Sequence, residues 1–179
     1  MDNSDLDKHL IFKLKDIRLL AVDVDGVLTD GSIIYSDAGE EIKIFNVKDG
    51  LGIRLLSKAG IPTCVITGRR SRALCHRCNN LGIEYLYDGI LDKTTILPIL
   101  EKKSGILPHE IAFMGDDLPD LPLMKSIGLA VSVADARPEV IKVADWVTSA
   151  KGGRGAVREV CELILKGKGL WDPITLNYR

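Results

Sequence analysis

A doubly wound α/β fold, a parallel sheet with helices over both faces, is what this 179-residue sequence predicts. Three observations carry the expectation. Short apolar runs alternate with longer helical patterns, the order that parallel strands joined by crossover helices require. Several of those runs are apolar on both faces, as strands covered from two sides must be. One segment breaks the alternation: a two-strand pattern directly after the first run predicts a β-hairpin flap above that strand's carboxyl end.

The elements follow in order. The first strand is read over 18–24 (RLLAVDV) and the hairpin over about 32–46, with Asp37-Ala38-Gly39 as its turn. A helix over 49–59 places Leu51, Leu55 and Ala59 four apart, and Gly60 suits its C-cap. A strand at 62–66, a helix at 71–81, a strand at 85–87 and a helix at 92–103 come next. They are followed by a strand at 111–114, a short helix at 121–126, a strand at 129–133, a helix from Pro138 to Val143 and a strand at 146–147. Pro138 falls where a first helical turn tolerates proline. A helix over 156–166 closes the series, and residues 167–179 hold Gly, Pro and Trp without periodicity, so they read as a tail. No repeat, low-complexity stretch or linker interrupts the chain, which predicts a single domain over 1–179. The insertions after the first two strands are too short for a separate cap domain.

Composition bounds the function. Lys plus Arg total 24 against 25 Asp plus Glu, a net charge of -1, which argues against a nucleic-acid binder. With 46% hydrophobic residues the chain can form a core rather than remain disordered. A domain of this size buries about 70% of its unfolded surface and needs no disulfide staples. The charged start, MDNSDLDKHLIFKLKD, holds no apolar leader, and apolar runs such as 19–22 are too short for a bilayer. A cytoplasmic protein with no membrane partner is expected, its four cysteines remaining thiols. Cys75 and Cys78 form a CxxC on a predicted helix. A zinc site needs about four ligands and no second pair follows, so buried or half-buried thiols are favoured over zinc or redox chemistry.

The chemistry gathers at strand ends, where open α/β sheets place their sites. The first strand runs into Asp23-Val24-Asp25-Gly26-Val27-Leu28-Thr29-Asp30. Two carboxylates at i and i+2 repel, so a cation or a shared proton is expected between them. The second strand ends in Thr67-Gly68-Arg69, which fits a phosphate cradle or a plain helix cap. Lys93 follows the third. Gly115-Asp116-Asp117-Leu118-Pro119-Asp120 follows the fourth, three carboxylates that invite a metal.

In that order, these four motifs resemble those of the haloacid dehalogenase superfamily, over roughly residues 17–165. Finer features are similar to the 3-deoxy-D-manno-octulosonate 8-phosphate phosphatase family: Asp23 to Gly31, Phe45-Asn46-Val47-Lys48-Asp49-Gly50, Arg54, Arg69, Arg77 before Cys78, and Gly152 to Glu159. The resemblance implies a magnesium-dependent phosphatase acting on a sugar acid phosphate in lipopolysaccharide biosynthesis. A nine-carbon sugar acid 9-phosphate is the alternative substrate, and a non-catalytic oligomerisation module a further alternative. It implies Asp23 as nucleophile, Asp25 as general acid and base, and Thr67 and Lys93 as phosphoryl stabilisers. Asp23 and Asp116 by side chain, and Asp25 by its carbonyl, are the implied Mg2+ ligands, with Asp117 and Asp120 orienting them. Implied substrate contacts are Asp25, Asn46, Val47, Lys48, Asp49, Gly50, Arg54, Arg69, Arg77 and Lys93. From periodicity alone Arg54 and Arg77 read as a solvated helix face. Asp88-Gly89-Ile90-Leu91 departs from the glutamine often found there. The family's homotetramer is implied too, and would cover the apolar Ile33, Ile34, Ile42, Ile44 and Phe45 of the hairpin, although packing on its own sheet explains some of them equally well. The 151–155 stretch reads as a phosphate nest or a helix lead-in.

Overall fold

In the computed structural model, which describes residues 8–178, a six-stranded parallel sheet carries the molecule. Residues 1–7 of the amino-terminal stretch and residue 179 of the tail lie outside the described residues. In chain order the elements are α1 (Lys8–Asp16), β1 (Leu19–Val22), the hairpin strands β2 (Ile34–Tyr35) and β3 (Glu41–Ile42), α2 (Val47–Lys58), β4 (Thr63–Ile66), α3 (Arg72–Leu81) and β5 (Tyr85–Tyr87). There follow α4 (Leu97–Ser104), β6 (Ile111–Gly115), α5 (Leu121–Met124), β7 (Leu129–Ser132), α6 (Pro138–Ile141), β8 (Trp146–Val147), α7 (Ala156–Gly167) and α8 (Trp171–Thr175).

The sheet order is β5-β4-β1-β6-β7-β8. The chain winds outward from β1 through β4 to β5, then crosses back to β6 on the other side. This reversal makes the carboxyl end of β1 the switch point where doubly wound sheets open a crevice. Every residue of β1, β4, β6 and β7 is buried, which is why their sequences are apolar without alternation. Helices α1, α2, α3 and α7 pack in one connected layer, while α4 and α5 meet around the short turn Lys93–Ile96.

Three boundaries differ from the expectation for stated reasons. The first strand stops at Val22 because the Val24 carbonyl accepts the amides of Val27, Leu28 and Thr29, which coils the chain out of the sheet. The helix expected over 92–103 divides into a 3₁₀ turn (Lys93–Ile96) and α4, because Pro98 has no amide to continue one ladder. The supposed tail folds. Gly169 (φ 68°) ends α7 and Leu170 donates to the Leu165 carbonyl, after which α8 turns back. Trp171 is held on α7 by the cations of Arg158 and Lys166, 5.6 and 5.0 Å from its ring.

Helix α1 has no counterpart in the sequence reading. Leu10, Leu14 and Ile17 recur at helical spacing and are buried, and α1 packs on α7. Gly167 makes that contact possible, since a Cβ there would lie 2.7 Å from the Leu14 side chain. Among the described residues all four cysteines are free thiols, and no helix is long and apolar enough to cross a membrane. Burial pushes the Cys78 thiol up to about 11, as an inert core thiol requires.

Leu14 is fully buried at this seam, so Leu14→Ala should destabilise the protein by about 2–5 kcal/mol in denaturant unfolding. A loss under about 0.5 kcal/mol, the size of an ordinary surface change, would show that α1 does not belong to the folded core.

Candidate active site

Each candidate side chain is set by a strand end. Asp23 follows β1, its amide donating to the Met114 carbonyl of β6 (3.0 Å). Thr67 follows β4, pinned by its amide to the Tyr87 carbonyl (2.9 Å). Lys93 opens the turn after β5, where Asp92 caps the Thr94 amide (3.0 Å). Asp116 follows β6. Together with Asp25, Arg69, Asp117 and Asp120 these residues line one cleft of about 290 Å³.

Lys93 is the hinge of the electrostatics. Its ammonium lies 2.8 Å from Asp23 Oδ1 and 2.5 Å from Asp120 Oδ1, with 4% of the side chain exposed. Burial alone would lower its pKa; the two carboxylates outweigh that and hold it above the usual lysine value. Asp120 accepts further bonds at Oδ2 from the amides of Asp116 (2.8 Å) and Asp117 (3.3 Å). Both its oxygens are therefore occupied, and it acts as a strut. Gly115 admits it, since a Cβ there would collide with the Asp120 carboxyl.

The remaining charge calls for a cation. One carboxylate oxygen each from Asp23, Asp116 and Asp120 lie within 4.8 Å of one another, against the single ammonium of Lys93. Burial, partly offset by Lys93, raises Asp23 to about 6. Burial, then the charges of Asp23, Asp120 and Asp117, pushes Asp116 up to about 8. Gly26 (φ 90°) turns the loop so that its Cα faces the Asp116 carboxylate, where any Cβ would clash. With Asp120 committed elsewhere, Asp23 and Asp116 present hard oxygen donors in a negative, half-buried setting, and this donor set fits magnesium.

A second group of expected residues sits at the start of α2 and does not line the cleft. Asn46 caps that helix through the Lys48 amide (2.9 Å) and donates from Nδ2 to the Gly153 carbonyl (3.3 Å). Arg77 donates to the Asn46 carbonyl (3.1 Å) across the face of Phe45, and a Cβ on Gly50 would meet its guanidinium. Val47, Lys48 and Arg54 are exposed, with Arg54 donating to the Asn80 carbonyl (2.8 Å). Asp49, expected among the substrate contacts, turns its side chain into the protein. It is 1% exposed, and its Oδ1 accepts the Arg158 amide (2.8 Å), so it fastens α2 to α7. Burial raises its pKa, with that and other backbone amides opposing.

The 151–155 stretch is a helix lead-in that clamps the loop after β1 rather than an open nest. The Gly153 amide donates to the Val27 carbonyl (2.9 Å) and the Gly152 amide to Asp135 Oδ1 (3.0 Å). Arg154 adds a 3.2 Å pair with Asp30. On the hairpin, Phe45 packs on the core, while Ile33, Ile34, Ile42 and Ile44 are exposed by 53, 37, 48 and 67%.

The sequence reading missed Glu41 and Lys43. Lys43 Nζ pairs with Asp25 Oδ1 and lies 3.4 Å from Glu41 Oε1. Arg69 pairs with that same Glu41 oxygen (2.8 Å) and lies 3.7 Å from Asp25 Oδ2. The signal present was the alternation of Glu41-Ile42-Lys43-Ile44, charged on one face and apolar on the other.

Comparisons with known proteins agree with this geometry. The haloacid dehalogenase-like hydrolase model matches residues 86–160. The chain is 49% identical over 164 residues to the 3-deoxy-D-manno-octulosonate 8-phosphate phosphatase of Salmonella typhi, covering 92% of this chain and 87% of the relative. It superposes on the Yersinia pestis phosphatase of that name with a TM-score of 0.91 at 47% identity, covering 93% of this chain and 90% of that one. The Moraxella catarrhalis phosphatase, solved in complex with magnesium ion, phosphate ion and KDO molecule, gives a TM-score of 0.94 at 43% identity, covering 97% and 100%.

Because metal-free Asp116 sits at about 8, it is protonated at pH 7, and magnesium binding must displace that proton. About one proton per ion should be released, read as a binding enthalpy that varies with the buffer's ionisation heat. Affinity should rise with pH up to about 8 and flatten above it. Enthalpies identical across buffers would remove Asp116 from the ligand set.

Proposed function

Since the chain belongs to the haloacid dehalogenase-like hydrolases, within the 3-deoxy-D-manno-octulosonate 8-phosphate phosphatase family, we propose that it hydrolyses 3-deoxy-D-manno-octulosonate 8-phosphate to the free sugar acid and phosphate, a step toward lipopolysaccharide. The observation that carries the reading is the convergence of Asp23, Thr67, Lys93 and Asp116 from four strand ends on one cleft, with Asp25 beside them.

The chemistry follows from those side chains. Asp23 attacks phosphorus as the bond to the sugar oxygen breaks, forming an aspartyl-phosphate. Asp25 donates a proton to the departing alkoxide, then takes one from the water that attacks the aspartyl-phosphate and frees inorganic phosphate. Lys93 keeps Asp23 in place and meets the charge of the phosphoryl oxygens, with the Thr67 hydroxyl as a second donor. Magnesium, held by the carboxylates of Asp23 and Asp116 and the Asp25 carbonyl, would supply the positive charge that two approaching anions need. Asp117 shapes the metal side of the cleft by capping the Leu118 amide (2.7 Å). The sugar's own carboxylate matches the arginine forks: Arg69 in the cleft, Arg77 reaching from α3 to Asn46 beside Lys48 and Gly50 at the head of α2, and Arg54 farther along that helix.

A homotetramer accords with the hairpin. The exposed Ile34, Ile42 and Ile44 lie on the hairpin face turned away from the ion pairs, an apolar surface that a neighbouring subunit would cover, while Phe45 is satisfied within the chain. A cytoplasmic setting accords with the unpaired thiols.

Phosphate release should be faster from the eight-carbon ester than from a nine-carbon sugar acid 9-phosphate, both assayed with magnesium. Preference for the nine-carbon ester would overturn the substrate assignment. Asp23→Asn should remove turnover entirely while leaving the circular dichroism spectrum unchanged, and undiminished turnover would falsify the nucleophile. Light scattering at micromolar concentration should give the mass of four chains; a monomer would remove the subunit-covered hairpin.

A further inference from the structure

We propose that Lys43 is a positioning residue for the reaction: from the inward face of the hairpin it fixes the carboxylate of Asp25, the group assigned above to proton transfer. The proposal rests on the phosphatase reading of the site and deepens it.

Strand geometry comes first. Successive side chains of an extended segment point to opposite faces. In Glu41-Ile42-Lys43-Ile44 that rule turns Ile42 and Ile44 outward and aims Glu41 and Lys43 inward, over the loop that follows β1. The Lys43 side chain is 3% exposed, a long flexible cation with nearly all of its freedom removed. Ordering a lysine in this way costs rotamer entropy that the contact at its tip helps to offset.

That tip closes a ring of alternating charge. Lys43 holds Asp25 Oδ1, Arg69 approaches Asp25 Oδ2 at 3.7 Å, and Glu41 joins the two cations, 3.4 Å from Lys43 and 2.8 Å from Arg69. Tyr35, on the partner hairpin strand, lies 3.4 Å from the Arg69 guanidinium through its hydroxyl. Each oxygen of Asp25 thus meets a different cation, which fixes rotation of the carboxylate. The Arg69 side chain is 40% exposed, so its weaker contact is screened by solvent, while the Lys43 contact is shielded. Lys43 is therefore the stronger of the two restraints.

The restraint matters because Asp25 follows β1 within a loop turned by Gly26, outside the sheet's ladder. A general acid must lie within hydrogen-bond reach of the leaving oxygen. A displacement of about 1 Å costs on the order of 100-fold in rate. Lys43 lies outside all four strand-end motifs and does not line the cleft, so it acts through Asp25 and not on the phosphate.

Leaving-group dependence tests this in the full-length magnesium enzyme. A sugar alkoxide needs a proton to depart, whereas 4-nitrophenolate does not. Lys43→Met should lower kcat for the sugar acid phosphate by about 10–100-fold with KM little changed, yet leave the pre-steady-state burst of 4-nitrophenolate nearly intact; the burst isolates the leaving-group step, because hydrolysis of the aspartyl-phosphate uses Asp25 whichever ester formed it. Lys43→Arg, which restores a cation, should recover much of the loss. Glu41→Gln loosens Lys43 without deleting its charge; it should show the same signature in smaller measure, and carries the test if Lys43→Met fails to fold. Equal losses in the leaving-group step of both esters would reduce Lys43 to a structural prop and overturn the proposal, as would undiminished kcat or an effect confined to KM. A wild type that hydrolyses neither ester would overturn the phosphatase reading, and this proposal with it.

Discussion

Lys93 sits between Asp23 and Asp120 in a place where a parallel sheet gathers negative charge faster than solvent can disperse it. Taking one partner from a buried pair typically costs about 3–5 kcal/mol, because the charge left behind has no compensation. Here two carboxylates depend on one ammonium, so the site cannot be altered piecemeal. Lys93 orients Asp23, braces Asp120, and through Asp120 orders the amides of Asp116 and Asp117. The carboxylates outnumber it, and burial together with their charges raises Asp116 to about 8, so a divalent cation that replaces its proton is what the cleft demands.

Such crowding needs backbone as thin as chemistry allows. Gly26 and Gly115 stand where a Cβ would strike the carboxylates of Asp116 and Asp120. Gly152 lies against the Gly26 carbonyl in the same manner, bringing the approach to α7 onto the loop after β1. The loop after β1 is thereby gripped from β6 on one side and from the 151–155 lead-in on the other. Asp49 and Asn46 extend this grip to α2, through the Arg158 amide and the Gly153 carbonyl.

How much of this was legible in the sequence depends on what each signal encodes. A strand buried on both faces advertises itself, and a polar residue ending such a run has few reasons to be there; β1, β4 and β6 with Asp23, Thr67 and Asp116 were readable for that reason. Helix α1 was not, because its buried stripe is only Leu10 and Leu14 among lysines and an exposed Phe12. Helix α8 is shorter than the period needed to recognise it, and what holds it lies outside it: the cations of α7 over Trp171, and the core surface on which Trp171 and Ile174 pack. Spacing alone could not distinguish Asp120, a strut, from Asp116, the proposed ligand; only the family resemblance separated them. Nor could spacing show that Asp49 points inward, since both distinctions reside in which amides lie nearby.

The hairpin joins these threads. A two-stranded ribbon is marginal by itself in water, and this one pairs only Ile34 with Ile42 and Tyr35 with Glu41. Its polarity is the reverse of an ordinary surface hairpin, with ions facing the protein and isoleucines facing away. The inward ring restrains its tip through directional contacts that fall off when the strands shift. The outward face acquires its partner only in the proposed tetramer, where burial at roughly 25 cal/mol per Å2 would hold the strands against the protomer. Assembly and proton transfer would then be linked through a single element. A subunit contact that pins Ile42 and Ile44 also pins Glu41 and Lys43 between them, because adjacent residues of one strand cannot move independently.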